Sequence, residues 1–158
     1  MKHTISVMVE NKSGVLARIA TLFAARGYNI DSLTVGETDD PSISRMTIVV
    51  NGDEKILEQV EKQLNKLIDI IKLNDFLDVE HIERDLILVK VRADKSTRGE
   101  ILQIINIFRA KIIDVSAGTV IAEMTGDEEK VNALINMLRP FGIKEMARTG
   151  VIAMARGN

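Results

Sequence analysis

The sequence predicts an α+β protein built from two ferredoxin-like βαββαβ units. Short runs in which every second residue is apolar indicate strands, and segments between them with apolar residues at helical spacing indicate helices. The same order of patterns occurs twice within 158 residues, a length that accommodates two small domains. We expect a first domain over residues 1–76, a linker over 77–85 and a second domain over 86–158.

The first unit opens with a strand that ends near Glu10, in which Ile5, Val7 and Val9 alternate with residues of the opposite face. A helix follows, with Ser13 as its predicted N-cap and Gly27 at its predicted end. Its apolar face consists of Val15, Leu16, Ile19, Leu22 and Phe23. This pattern predicts an amphipathic helix that packs on the sheet.

Two antiparallel strands and a second helix follow in the first unit. An extended segment runs from Tyr28 past Val35, residues 38–41 form a turn, and alternation resumes over 46–50. Asp53 is placed to cap the second helix, and a short fourth strand lies around residues 71–73. The apolar face of that helix consists of Ile56, Leu57, Val60, Leu64 and Leu67.

The second unit repeats this order after an acidic, weakly patterned stretch. Strands are predicted around Val89, over 113–115 and over 120–124, with helices over 101–108 and from Asp127 to Pro140. One last extended segment is predicted from residue 143 to 154. The offset between corresponding elements changes once, in the hairpin, which is typical of two structural copies that differ in one loop.

A βαββαβ unit places two helices on one face of a four-stranded antiparallel sheet and leaves the other face bare. Packing or edge-to-edge pairing with a second copy covers such a sheet most simply. We therefore expect at least a homodimer.

The composition argues against several classes of function. Cysteine is absent, and His3 and His81 have no neighbouring ligands at metal-binding spacing, so no metal site is predicted. No glycine-rich phosphate loop is present, and 3% aromatic residues offer few platforms for stacking bases, which disfavours nucleotides and nucleic acid. No apolar run approaches the roughly 20 residues of a membrane span. We expect a cytoplasmic protein.

Candidate catalytic carboxylates are also unconvincing, because Asp39 and Asp40 lie in a proline-containing turn where they are expected to be solvated. The turn after the first strand is more informative. Asn11 and Gly14 immediately precede a helix N-terminus, whose unpaired backbone N–H groups and dipole favour a carboxylate. The same residues are also compatible with helix capping alone.

Several segments of the chain resemble the small regulatory subunits of acetohydroxyacid synthase, also called acetolactate synthase. They are VENKSGVL (9–16), RGYNIDSLTV (26–35), SRMTI (44–48), EQVEKQLNKL (58–67), LILVKV (86–91), FRAKIIDV (108–115) and ARTGV (147–151). The resemblance covers nearly the whole chain. It implies an N-terminal ACT domain and a C-terminal ferredoxin-like domain.

This resemblance implies a regulatory chain without its own active site in the biosynthesis of valine, leucine and isoleucine. Such a chain activates a catalytic large subunit and confers feedback inhibition by a branched-chain amino acid, usually valine. It implies no cofactor in this chain, and thiamine diphosphate, magnesium and FAD in the catalytic subunit. A free-standing ACT-type sensor that acts on another enzyme or a transcription factor is the alternative, and a metal sensor is a third reading that lacks ligands.

The resemblance also implies an effector site shared between two protomers. One protomer contributes Asn11, Gly14, Val15 and Leu16, and the other contributes Asn29 and Ile30. From the residues alone, Asn29 is equally explained as a strand-start residue that satisfies a turn.

Overall fold

The computed structural model describes residues 1–157, which form two compact units. The first contains residues 1–82 and 151–157, and the second contains residues 83–150. The elements, in chain order, are β1 (Lys2–Glu10), α1 (Val15–Arg26), β2 (Asn29–Glu37), β3 (Ile43–Asn51), α2 (Glu54–Asn65), β4 (Ile70–Asp75), β5 (His81–Arg92), α3 (Arg98–Ile107), β6 (Lys111–Val115), β7 (Thr119–Gly126), α4 (Glu128–Leu138), β8 (Ile143–Arg148) and β9 (Ile152–Ala155). The predicted α+β class and the repeated βαββαβ order are confirmed.

The sheet of the first unit has the strand order β2-β3-β1-β4, with every neighbouring pair antiparallel. Ile5 of β1 and Leu33 of β2 both lie opposite Ile48 of β3, so alternate residues of these strands share the helical face. The core between sheet and helices includes Ile5, Val7, Val9, Ile48, Val15, Ile19, Phe23, Leu57, Val60 and Leu64. Alternation and helical spacing therefore predicted this core correctly except at Leu16, which is 45% exposed.

The helix ends of the first unit agree with the sequence at two positions and differ at one. Asp53 caps α2 by accepting a hydrogen bond from Ile56 N at 2.9 Å, and Gly27 ends α1 in the left-handed conformation. The prediction of Ser13 as the N-cap of α1 is wrong. Gly14 occupies that position at φ +88°, without a side-chain capping bond. The chain enters α1 through a conformation that glycine adopts readily.

The second unit has the corresponding strand order β6-β7-β5-β8. Asp127 caps α4 as predicted, accepting from Lys130 N at 2.9 Å. A single 3-10 turn over Arg139–Phe141 follows α4. The core of this unit includes Ile87, Val89, Val91, Ile101, Ile105, Val120, Ala122, Leu134 and Leu138.

Two predicted stretches differ from the structure. Residues 81–85, predicted as linker, belong to β5. The last extended segment is two strands rather than one, because β8 ends at Arg148 and β9 begins at Ile152 and pairs with β5. Residues 151–157 lie in the first unit, although the predicted second domain ran to residue 158.

The outer face of the first sheet is covered, contrary to the prediction of a bare face. Val151 accepts a hydrogen bond from Thr34 Oγ1 at 3.0 Å and donates its N–H to Ser32 Oγ at 3.0 Å. Arg45 Nη2 donates to Ala153 O at 2.6 Å. The outward-facing Thr47 is accordingly buried. Because the chain itself covers this face, a bare sheet face no longer supports the predicted homodimer. The homodimer stays a prediction.

Candidate functional site

The turn between β1 and α1 is anchored to the β2–β3 hairpin by Asn11. The backbone N–H of Asn11 donates to Ser42 O at 2.8 Å, and its Nδ2 donates to Pro41 O at 2.9 Å. The same Nδ2 donates to Glu37 Oε1 at 3.2 Å. Among the described residues nothing donates to Asn11 Oδ1, so this oxygen is free to accept a hydrogen bond from a ligand.

The helix start beyond this turn presents unpaired backbone donors. Val15 N–H makes a long contact of 3.4 Å to Lys12 O, whereas no acceptor within residues 1–157 pairs with the N–H groups of Gly14 and Leu16. The positive end of the dipole of α1 adds to their attraction for an anion. The geometry therefore favours a small carboxylate at this turn.

The side chains of Val15 and Leu16 point to different environments. Val15 is 2% exposed and packs in the core of the first unit. Leu16 is 45% exposed on the surface of α1. Val15 can therefore contribute backbone atoms to a site, whereas Leu16 can contribute apolar side-chain contact.

An ion pair that the sequence analysis did not identify lies beside the turn. Arg18 Nε donates to Asp69 Oδ2 at 2.7 Å, and the Asp69 side chain is only 8% exposed. This hydrogen bond holds the pKa of Asp69 below its ordinary value and raises the pKa of Arg18. Both groups therefore stay charged at neutral pH. Arg18 lies four residues after Gly14 on one helix face, a local signal, whereas no local pattern identifies Asp69.

Asn29 and Ile30 lie at the opposite end of the sheet from Asn11. Asn29 pairs with Asn51, which pairs with Lys2 at the start of β1, whereas Asn11 directly follows the end of β1. The nine residues of β1 separate these two ends by about 27 Å. One chain does not bring Asn11 and Asn29 together. Asn29 Nδ2 donates to Asp31 Oδ1 at 3.1 Å.

Other ionisable residues hold local structure. Asp40 accepts from Ser42 N at 3.0 Å and from Ser42 Oγ at 2.7 Å, and the side-chain bond in particular lowers the pKa of Asp40. His3 Nε2 lies 3.0 Å from Gly52 O. Within residues 1–157 no three His, Cys, Asp or Glu side chains cluster in a way that could hold a metal ion. The same residues include no helix with the length and apolarity needed to cross a membrane.

Comparison with protein families gives two matches that together span most of the chain. Residues 5–72 match the AHAS small subunit-like ACT domain. Residues 84–157 match the small subunit of acetolactate synthase. The predicted resemblance is therefore confirmed in both halves.

Individual relatives agree with these matches. The probable acetolactate synthase small subunit of Archaeoglobus fulgidus is 59% identical over 158 residues, which are 100% of this chain and 99% of that protein. The acetolactate synthase small subunit of Aquifex aeolicus is 58% identical over 98% of this chain and 81% of its own length. The crystal structure of the acetolactate synthase small subunit of Thermotoga maritima superposes with a TM-score of 0.90 at 47% identity, covering 100% of this chain and 99% of the other. The chain therefore belongs to the acetolactate synthase small subunit family.

Proposed function

We propose that this chain is the regulatory subunit of an acetolactate synthase, and that it activates the catalytic subunit and confers feedback inhibition by valine. The effector site lies between two copies of the first unit. Asn11, Gly14, Val15 and Leu16 come from one copy, and Asn29 and Ile30 come from the other. The observation that carries this proposal is the contact between Asn11 and the end of strand β2.

Strand β2 is an edge of its sheet and spans Asn29–Glu37. If the β2 strands of two copies pair antiparallel about a two-fold axis at the central residue Leu33, Asn29 of each copy lies opposite Glu37 of the other. Glu37 accepts a hydrogen bond from Asn11. Edge pairing of two β2 strands therefore places Asn29 of a second copy near Asn11. Within one chain, these two residues lie at opposite ends of the sheet.

A zwitterionic amino acid matches the groups at this position. Its carboxylate fits the N–H groups of Gly14 and Leu16, and its ammonium group fits Asn11 Oδ1 and the Glu37 carboxylate. A valine side chain against Leu16 and Ile30 contributes about 1–2 kcal/mol. Discrimination of valine from leucine or isoleucine rests on one methylene, about 1–3 kcal/mol.

The catalytic chemistry belongs to the partner subunit in this proposal. Thiamine diphosphate, magnesium and FAD are assigned to the catalytic subunit, and this chain alone is expected to produce no acetolactate. Effector binding acts through the equilibrium between conformations of the dimer that activate the catalytic subunit to different degrees.

Reconstitution with the matching catalytic subunit tests the proposal. We expect acetolactate formation to increase when the chain is added and to fall when valine is then supplied, with leucine and isoleucine measured in parallel. Calorimetry on the isolated chain is expected to detect binding of at least one of these amino acids. Neither binding nor any change in the activity of the catalytic subunit would contradict the proposal.

A further inference from the structure

The guanidinium group of Arg18 extends back over the turn that precedes its own helix. A Cβ atom built at Gly14 would lie 3.1 Å from Arg18 Nη1, so this nitrogen is directly beside the Gly14 backbone. Side chains of a helix point towards its N-terminus, which explains how a residue one turn into α1 reaches this position. The absence of a side chain at Gly14 leaves space for the guanidinium group.

Within residues 1–157, only the Nε edge of this guanidinium makes a hydrogen bond. Arg18 Nε donates to Asp69 Oδ2, and among the described residues neither Nη1 nor Nη2 has a hydrogen-bond partner. Asp69 is itself fixed, since its backbone oxygen accepts from Glu10 N at 3.0 Å at the end of β1. A nearly buried carboxylate therefore orients the guanidinium group and leaves both terminal nitrogens available.

We propose that Arg18, oriented by Asp69, binds the carboxylate of the amino-acid effector together with the N–H groups of Gly14 and Leu16. This inference rests on the function proposed above and adds a residue to its site. A guanidinium group provides two parallel donors that match a carboxylate, and hydrogen bonds between charged groups are about twice as strong as those between neutral ones. Arg18 makes the site selective for ligands with a free carboxylate, whereas backbone N–H groups alone also donate to a neutral carbonyl.

Comparison of two ligands tests this role of Arg18. Calorimetry on the full chain measures the dissociation constants of valine and of valinamide, in which a neutral amide replaces the carboxylate. We expect Arg18→Gln to weaken valine binding about tenfold or more and to leave valinamide binding within about twofold of the unmodified chain. Asp69→Asn is expected to weaken valine binding to a smaller degree, because Arg18 is then no longer held in place.

Arg26→Gln is the matched control, because Arg26 is an exposed arginine in the last turn of the same helix. It should leave the affinities of both ligands unchanged. Arg18→Lys retains the charge without the two-donor geometry and should recover part of the valine affinity. Because each variant is measured with both ligands, a general loss of folding lowers both affinities and is distinguished from the loss of one carboxylate contact.

An equal loss of valine and valinamide binding in Arg18→Gln would overturn the inference, as would no loss of either. Those results leave the proposed function intact, provided that the unmodified chain binds valine. If the unmodified chain binds no branched-chain amino acid, the proposed function fails and the role of Arg18 fails with it. A selective loss of valine binding supports both.

Discussion

Gly14 has a backbone conformation that favours glycine, and it also lies at the proposed binding position of the effector carboxylate. Its φ of +88° disfavours any L side chain, and an added side chain would meet Arg18 Nη1. We expect Gly14→Asp to abolish inhibition by valine, because the new carboxylate occupies the anion position and pairs with Arg18. Inhibition curves of the reconstituted enzyme measure this, and valine at about ten times the concentration that half-inhibits the unmodified enzyme should leave the variant active.

Gly118→Asp is the control for Gly14→Asp. Gly118 lies in the turn between β6 and β7, and an added Cβ there meets nothing within 4 Å. The control should retain valine inhibition. Unchanged inhibition in Gly14→Asp would move the effector site away from this turn.

Glu61 predicts a pH dependence of stability in the first unit. Burial raises the pKa of Glu61 to about 7, and the neighbouring carboxyl group of Asp75 adds to the effect. The folded state favours the protonated form of Glu61. The contribution of this carboxyl group to the stability is therefore complete below the ordinary pKa of a glutamate, and it is lost as the pH rises through about 7.

Glu61→Gln imitates the protonated form at every pH. We expect it to increase the free energy of unfolding at pH 8 by on the order of 1 kcal/mol, an amount reduced by solvent screening of this partly exposed group, and to change it little at pH 4. Urea denaturation at the two pH values measures this difference. Glu80→Gln, at an exposed position, is the control and should have no effect at either pH. An equal effect of Glu61→Gln at both pH values would contradict the explanation.

Sequence reasoning identified some residues of the candidate site and missed others for a physical reason. Asn11, Gly14 and Leu16 are recognisable because a helix start creates unpaired donors wherever it occurs. Arg18 and Asp69 were missed because their contact joins positions 51 residues apart. Val15 and Leu16 were both predicted on the apolar face of α1, but Val15 is 2% exposed and Leu16 is 45% exposed, because helical spacing does not distinguish a core position from one at the margin.

Strand β2 is the sheet edge through which we predict that two copies pair. Its central residue Leu33 is 36% exposed at the sheet edge. If two copies pair through β2 as proposed, Leu33→Lys is expected to convert the dimer to a monomer and to weaken valine binding with it, because two like charges would meet near the two-fold axis. Size-exclusion chromatography with light scattering measures the mass.

Strand β4 provides a matched control, since it is the other edge of the same sheet. Ile71 is 53% exposed there, and Ile71→Lys should leave the mass and the valine affinity unchanged. If Ile71→Lys dissociates the dimer and Leu33→Lys does not, pairing occurs through β4 and the proposed site is wrong.

Elements with strong local signals were the ones predicted correctly. Asp53 and Asp127 precede apolar helical patterns and cap α2 and α4, as helix-start rules require. Strand β9 was predicted as a continuation of β8, because alternation at Val151 and Ala153 indicates an extended chain but does not say which sheet it covers. The prediction of a bare sheet face was wrong for the same reason, because tertiary contacts decide whether a face is covered and local patterns do not show them.

An effector site shared by two chains predicts complementation between defective chains. Asn11→Ala and Asn29→Ala homodimers should each bind valine poorly. A mixture refolded together forms mixed dimers, in which one site carries both substitutions and the other carries neither. With random association, about a quarter of all sites are intact, and calorimetry should recover that fraction of the valine binding.

A mixture of Asn11→Ala with unmodified chains is the control for this experiment. It produces intact sites in proportion to the fraction of unmodified chain, whether Asn29 contributes to a site in its own chain or in the partner chain. If Asn11 and Asn29 serve one site within a single chain, the two defective chains restore no binding to each other.

The segment that covers the first sheet also has a consequence for synthesis. Val151, which donates a hydrogen bond to Ser32, is synthesised 119 residues after it. At a synthesis rate of about 5–20 residues per second, this delay is roughly 6–24 s. During that time the face of a nascent sheet is open to water and to chaperones. Hydroxyl groups of Ser32, Thr34 and Thr47 lie on this face. Its burial at completion replaces the waters on Ser32 and Thr34 with hydrogen bonds to the chain's own backbone.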